Sequence, residues 1–148
     1  MKEQKEIIDG LIETLKDGQE GFKQAAEGVK DPQLKSLFNE YSQQRSRFAS
    51  ELQSQAQSLG EREPETSGSA TGALHRAWMN LKSAVTSGDD HAILAECERG
   101  EDSAVEEYKK AIAENLSAPS REMVSRQYSE IKNAHDRIKN LRDARKKS

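Results

Sequence analysis

The chain has 148 residues, the size of one ordinary domain, with one third of them charged and one third apolar. Twelve Pro and Gly residues and a single cysteine, Cys97, exclude collagen-like, proline-rich and disulfide-framework classes. A net charge of −3 with both signs interspersed gives no footprint for nucleic acid, and no run approaches the ~20 apolar residues of a membrane helix. MKEQKEIIDG has no apolar run and does not read as a signal peptide, so the expected compartment is the cytoplasm, with neither nucleic acid nor membrane as partner.

Apolar residues recur at three and four, the spacing of helices. The first segment, about residues 3 to 30, carries Ile8, Leu11, Ile12, Leu15, Phe22, Ala25, Ala26 and Val29. Asp31 suits an N-cap and Pro32 the first turn of a second helix striped by Leu34, Leu37, Phe38, Tyr41, Phe48, Leu52, Ala56 and Leu59. The tight connection at Lys30-Asp31 predicts an antiparallel hairpin. Residues 60 to 70, GEREPETSGSA, read as a linker. A short helix is predicted at 71–86, with Leu74, Ala77, Trp78, Leu81 and Val85 on one face. Ser87-Gly88 breaks it, and Asp89 or Asp90 can cap a third long helix running to about 116. Its stripe is Ile93, Leu94, Ala104, Val105, Tyr108, Ala111, Ile112 and Leu116. After Ser117-Ala118-Pro119 the last helix, to about 145, buries Val124, Tyr128, Ile131, Ile138 and Leu141. Its basic end, RDARKKS, complements a helix C-terminus and reads as a solvated tail.

These elements predict one all-α domain over 1–148: two antiparallel helix hairpins joined by a long connection at 60–88. A simple up-down bundle would not need a short amphipathic helix with a Trp on its inner face. A connection that crosses the bundle, as in ferritin-like folds, would. The second and third long helices should then run in the same direction, with Trp78 packed against a long helix.

Each stripe is interrupted near its middle. The interruptions fall at Gly18 or Gln19 beside Glu20, at Gln44 or Arg45, at Cys97, Glu98 and Glu101, and at Ala134 and His135. Within each hairpin these positions lie at nearly equal distances from the turn, so they should meet in one mid-bundle layer. Buried carboxylates must pair or bind something. One reading is a metal-free polar network, in which Gln44 and Arg45 take part, Arg45 pairs with Glu20 or Glu101, and His135 with Glu98 or Glu101. The other is a metal site on Glu20, Glu98, Glu101 and His135, since facing Glu and His hold di-iron or di-manganese centres in bundles. That pattern needs Glu-x-x-His on two helices. Here Lys132 stands three residues before His135, and the second helix has no His. The network without a cofactor is therefore the expected state. Cys97 reads as a buried structural thiol, His75 and His91 as surface or capping residues. Phosphate-loop, Gly-x-Ser-x-Gly and Cys-x-x-Cys motifs are absent, so nucleotide, hydrolase and thiol-redox classes lack support.

The segments LIETLKDG (11–18), ALHRAWM (73–79), ECERGED (96–102) and His135-Asp136 resemble bacterial four-helix-bundle proteins of unknown function in the ferritin-like superfamily. The resemblance covers about residues 5 to 143. It implies the crossover bundle, a bacterial and stress-related setting, a second copy of the chain as partner, and no established activity. The Glu101-to-Tyr108 spacing is similar to a glutamate-tyrosine pair of ferritin helices, whereas Glu20 is followed by Glu27 at that spacing. The rival functions are a di-metal binding protein or oxidase and a helical interaction scaffold.

Overall fold

The computed structural model describes residues 3–58, 60 and 77–145, and among these all regular secondary structure is helical. The helices are α1 (Gln4–Gly28), α2 (Pro32–Ser58), α3 (Leu81–Ser87), α4 (Asp90–Ala113) and α5 (Ala118–Ala144).

Side-chain caps start three of the helices, Asp31 and Asp89 as expected and Ser117 in addition. Asp31 Oδ1 accepts from Gln33 N at 2.8 Å, Asp89 Oδ1 from His91 N at 3.0 Å, and Ser117 caps α5 by accepting from Ser120 N. Gly88, at φ +69°, ends α3 in the left-handed conformation that glycine adopts without strain. α4 stops at Ala113, three residues short of the expected 116. The Arg121 guanidinium takes the carbonyls of Ile112 and Glu114, satisfying the end of the helix from the side.

Contacts between helix ends set the directions. Lys30 N and Asp31 N, at the α1–α2 turn, donate to the Asp90 carboxylate at the start of α4 (2.8 and 3.1 Å). At the other end Ser117 N, after α4, donates to Gln4 Oε1 at the start of α1 (2.5 Å). Thus α1 and α4 are antiparallel. Gln55 near the end of α2 meets Ser120 at the start of α5, and Arg145 after α5 pairs with Asp31 before α2, so these two are antiparallel as well. It follows that α2 and α4 run in the same direction, as expected from the sequence. They lie diagonally: α1 packs on α2 and α4, and α5 packs on α4 and α2.

Two apolar clusters fill the interior. One joins Ile8, Leu11, Ile12 and Leu15 to Phe48, Leu52, Tyr108, Val124 and Ile131. The other joins Phe22 and Ala26 to Leu34, Phe38, Tyr41, Leu94, Cys97 and Ile138. Each large side chain taken from water contributes about 1.5–3 kcal/mol. A polar layer separates the clusters.

The described end of the connection, residues 77–89, packs on α1 and α4. The predicted helix at 71–86 falls partly outside the described residues. In its described part, residues 78–80 form a turn before α3 begins. That turn sets Trp78 over α1 and α4 while Leu81 and Ala84 enter the second cluster. Two glycines make the seat. A Cβ on Gly21 would fall 2.4 Å from the Trp78 ring, and one on Gly100 2.2 Å from it. The indole meets the Phe22 ring edge-on at 5.3 Å. Further along, Val85 takes the space a side chain on Gly28 would need.

Candidate functional site

The centre of the layer is a buried ion pair. Arg45 is 1 % exposed and Glu101 is fully buried. The guanidinium donates through Nη1 to Oε1 and through Nη2 to Oε2, the latter at 2.7 Å. Its Nε donates to Gln44 Oε1 at 3.1 Å, and its carbon lies 5.2 Å over the Phe22 ring. Burial pushes the guanidinium pKa down, but the Glu101 charge and hydrogen bonds overcome this and hold it above its usual value. The facing position on α1 is Gly18, where a Cβ would lie 3.6 Å from Arg45 Nη1, in ordinary contact with it.

A second group of charges lies between α4 and α5. His135 Nε2 is 2.5 Å from Asp102 Oδ1, and its Nδ1 is 3.0 Å from Asp136 Oδ1. A carboxylate at each ring nitrogen favours the imidazolium, which donates from both. Burial works against that charge, and the hydrogen bonds it donates to Asp136 and Asp102 outweigh it, so the His135 pKa is raised. Lys132 Nζ holds both oxygens of Asp136, at 2.7 and 2.9 Å. Two turns toward the end of α5, Arg142 pairs with the buried Glu98 and with Asp143. Glu98, Asp102 and His135 each bring a ligand atom within 4.8 Å of the others.

On the other side of the Arg45 pair, buried Tyr108 donates to Gln127 Oε1 at 2.7 Å. Gln127 Nε2 in turn donates to Phe48 O and Glu51 Oε1. Burial raises the Tyr108 pKa far above its usual value, so the phenol stays protonated. Cys97 is fully buried, and burial, with Glu101 and Glu96 nearby, pushes its thiol well up, away from nucleophilic chemistry.

The structure therefore brings Gln44, Arg45 and Glu101 together, and sets Glu98 and His135 on the neighbouring flank. Glu20 is corrected: it is exposed and accepts from Gln24 Nε2 on its own helix. At 100° per residue, Gly18 takes the inward slot and Glu20 points away from it. The partners expected for His135 are corrected too. Both Glu101 oxygens are taken by Arg45, and His135 meets the adjacent face of α4 at Asp102. His91 lies at the start of α4, half-buried, and His75 lies outside the described residues. Sequence reasoning missed Asp102, Asp136, Lys132 and Arg142 as partners. Their signal was the i, i+4 spacing of Lys132–Asp136 and Glu98–Asp102 on facing helices.

The inward residues do not fit a di-metal centre. Such a centre needs free carboxylate oxygens from several helices, and here a guanidinium occupies both oxygens of Glu101 while α1 presents glycine.

A family model, domain of unknown function DUF2383, matches residues 4–114, covering α1 to α4 with Arg45, Glu98 and Glu101 and leaving His135 outside. No curated protein matches the chain. No helix among the described residues is long and apolar enough to cross a membrane. The chain belongs to the DUF2383 family, a family whose function is unknown.

Proposed function

We propose that this protein is a ferritin-like four-helix bundle, crossed by the 60–88 connection, in which an internal ion pair stands where relatives of that architecture hold metal. On this reading it is a non-enzymatic bundle protein with a degenerate metal site. The observation that carries it is the Arg45–Glu101 pair, because the guanidinium already supplies the positive charge that buried Glu101 requires. The parallel direction of α2 and α4 supports the crossover architecture. A single unpaired and buried thiol, Cys97, is in keeping with a cytoplasmic setting.

The rival reading, a di-iron or di-manganese protein, makes a different demand on Glu101. Protein purified without chelators is analysed for iron and manganese, alongside the Arg45→Met/Glu101→Met double variant. We expect no stoichiometric iron or manganese in the parent protein, and identical contents in the two. Stoichiometric iron or manganese that disappears in the double variant would overturn the proposal.

A further inference from the structure

The charges between α4 and α5 form a second arrangement, independent of the Arg45–Glu101 layer and of the reading given to it. We propose that Glu98, Asp102 and His135 form a binding site for a single divalent transition cation, with Asp136 holding the histidine in place.

The two carboxylates are one turn apart on α4, so both face α5. His135 faces them from α5 with Nε2 foremost, 2.5 Å from Asp102 Oδ1. What separates this from a chance acidic cluster is the far side of the ring. Nδ1 is 3.0 Å from Asp136 Oδ1, and Asp136 is itself held by Lys132 through both oxygens. A carboxylate on the remote nitrogen fixes the tautomer and orientation of a metal-bound histidine and makes it a stronger ligand. With Nδ1–H given to Asp136, the Nε2 lone pair is the one available to a cation.

Glu98 brings a buried carboxylate whose Oε1 is paired with the Arg142 guanidinium, so a cation has to displace that partner. Arg142 also pairs with Asp143 at 2.7 Å, so it can leave Glu98 without losing every carboxylate partner. Asp102 is 61 % exposed and free to turn. The three ligand atoms, within 4.8 Å of one another, need only small side-chain rotations to reach bonds of about 2.0–2.2 Å. One nitrogen and two carboxylates suit zinc-class cations better than calcium, which takes six to eight oxygens. Binding replaces the Nε2 proton: the imidazolium gives one proton to solvent and the neutral ring ligates the cation.

The test is calorimetric titration of tag-free, chelator-stripped protein with zinc chloride at pH 7.5, in two buffers of different ionisation enthalpy. The expected result is one equivalent bound, with a buffer-dependent heat that reports proton release. His135→Gln and Asp102→Asn should each weaken binding at least tenfold. Asp136→Asn should weaken it about 10–100-fold, as loss of such supporting groups does. His91→Gln should leave it unchanged, and calcium should not compete. Circular dichroism establishes that each variant is folded. Absence of zinc binding in the parent protein, or equal binding by folded His135→Gln, would overturn the proposal. Neither result bears on whether iron or manganese depends on Glu101.

Discussion

Arg45 and Glu101 join α2 to α4 across the diagonal of the protein, between two helices whose backbones do not pack directly. The length of the arginine side chain makes this reach possible, and it passes beside Gly18 of α1. Both charges have lost their water. Their stability rests on each other, on Gln44 and on the ring of Phe22.

Removing one partner should therefore cost far more than removing both. Arg45→Met or Glu101→Met alone leaves an uncompensated buried charge, and each should lower the unfolding free energy by about 3–5 kcal/mol. The double variant should recover most of that loss, since well-packed apolar residues replace buried ion pairs at little cost. Urea unfolding of the three variants measures the coupling. Additive losses would show that the pair is not the unit described.

The Trp78 seat depends on two missing side chains. Gly100→Ala puts a methyl group 2.2 Å from the indole, and Gly21→Ala puts one 2.4 Å from it. Each should drive the ring outward and destabilise the protein by about 1–3 kcal/mol. Trp78→Ala should cost about 3 kcal/mol or more, as large-to-small changes in well-packed sites do. Trp78 is the chain's only tryptophan, so its fluorescence reads the seat directly. The glycine variants should shift its emission to longer wavelength, and an unchanged spectrum would place the ring elsewhere.

His135 makes stability fall with rising pH in chelator-treated protein. Its folded pKa is raised above the ordinary value of 6.5, because the hydrogen bonds it donates to Asp136 and Asp102 outweigh burial. Its contribution is complete below the unfolded pKa and is lost as pH rises through the folded one. Urea midpoints measured from pH 5.5 to 9 should show this decline, and His135→Gln should flatten it. A parent and variant with parallel pH profiles would refute the assignment.

Asp90 fastens the α1–α2 turn to α4. Its two oxygens accept from Lys30 N and Asp31 N. Asp90→Ala leaves both amides to water and should cost about 0.5–1.5 kcal/mol. Amide exchange should accelerate at Lys30 and Asp31 while remaining slow at Phe22 and Phe38. Unchanged exchange at the turn would show that the clamp contributes nothing.

The fold was legible because its pattern is repetitive. Ile8 to Leu15 and Leu34 to Tyr41 repeat at helical spacing, and Asp31 and Asp89 mark the starts of α2 and α4. The layer was legible as gaps in those stripes, which placed Arg45 and Glu101 at one height. Pairing was harder. Spacing along a helix tells height well and rotation poorly, and a shift of two residues turned Glu20 to solvent while Gly18 faced inward. The seat of Trp78 left no apolar signal at all, because Gly21 and Gly100 act through the side chains they lack. Asp102 and Asp136 left no signal in the stripes, and only the packing of α5 on α4 sets His135 against Asp102.

The central ion pair also acts as an index mark for assembly. Apolar side chains above and below it are similar enough that one helix could slide past another by a turn, about 5.4 Å, and still find oily neighbours. After such a slide Arg45 would face Cys97 or Val105, with Glu98 already paired to Arg142, and Glu101 would sit in hydrocarbon. The interior thus admits one alignment of α2 against α4 and penalises its nearest alternatives.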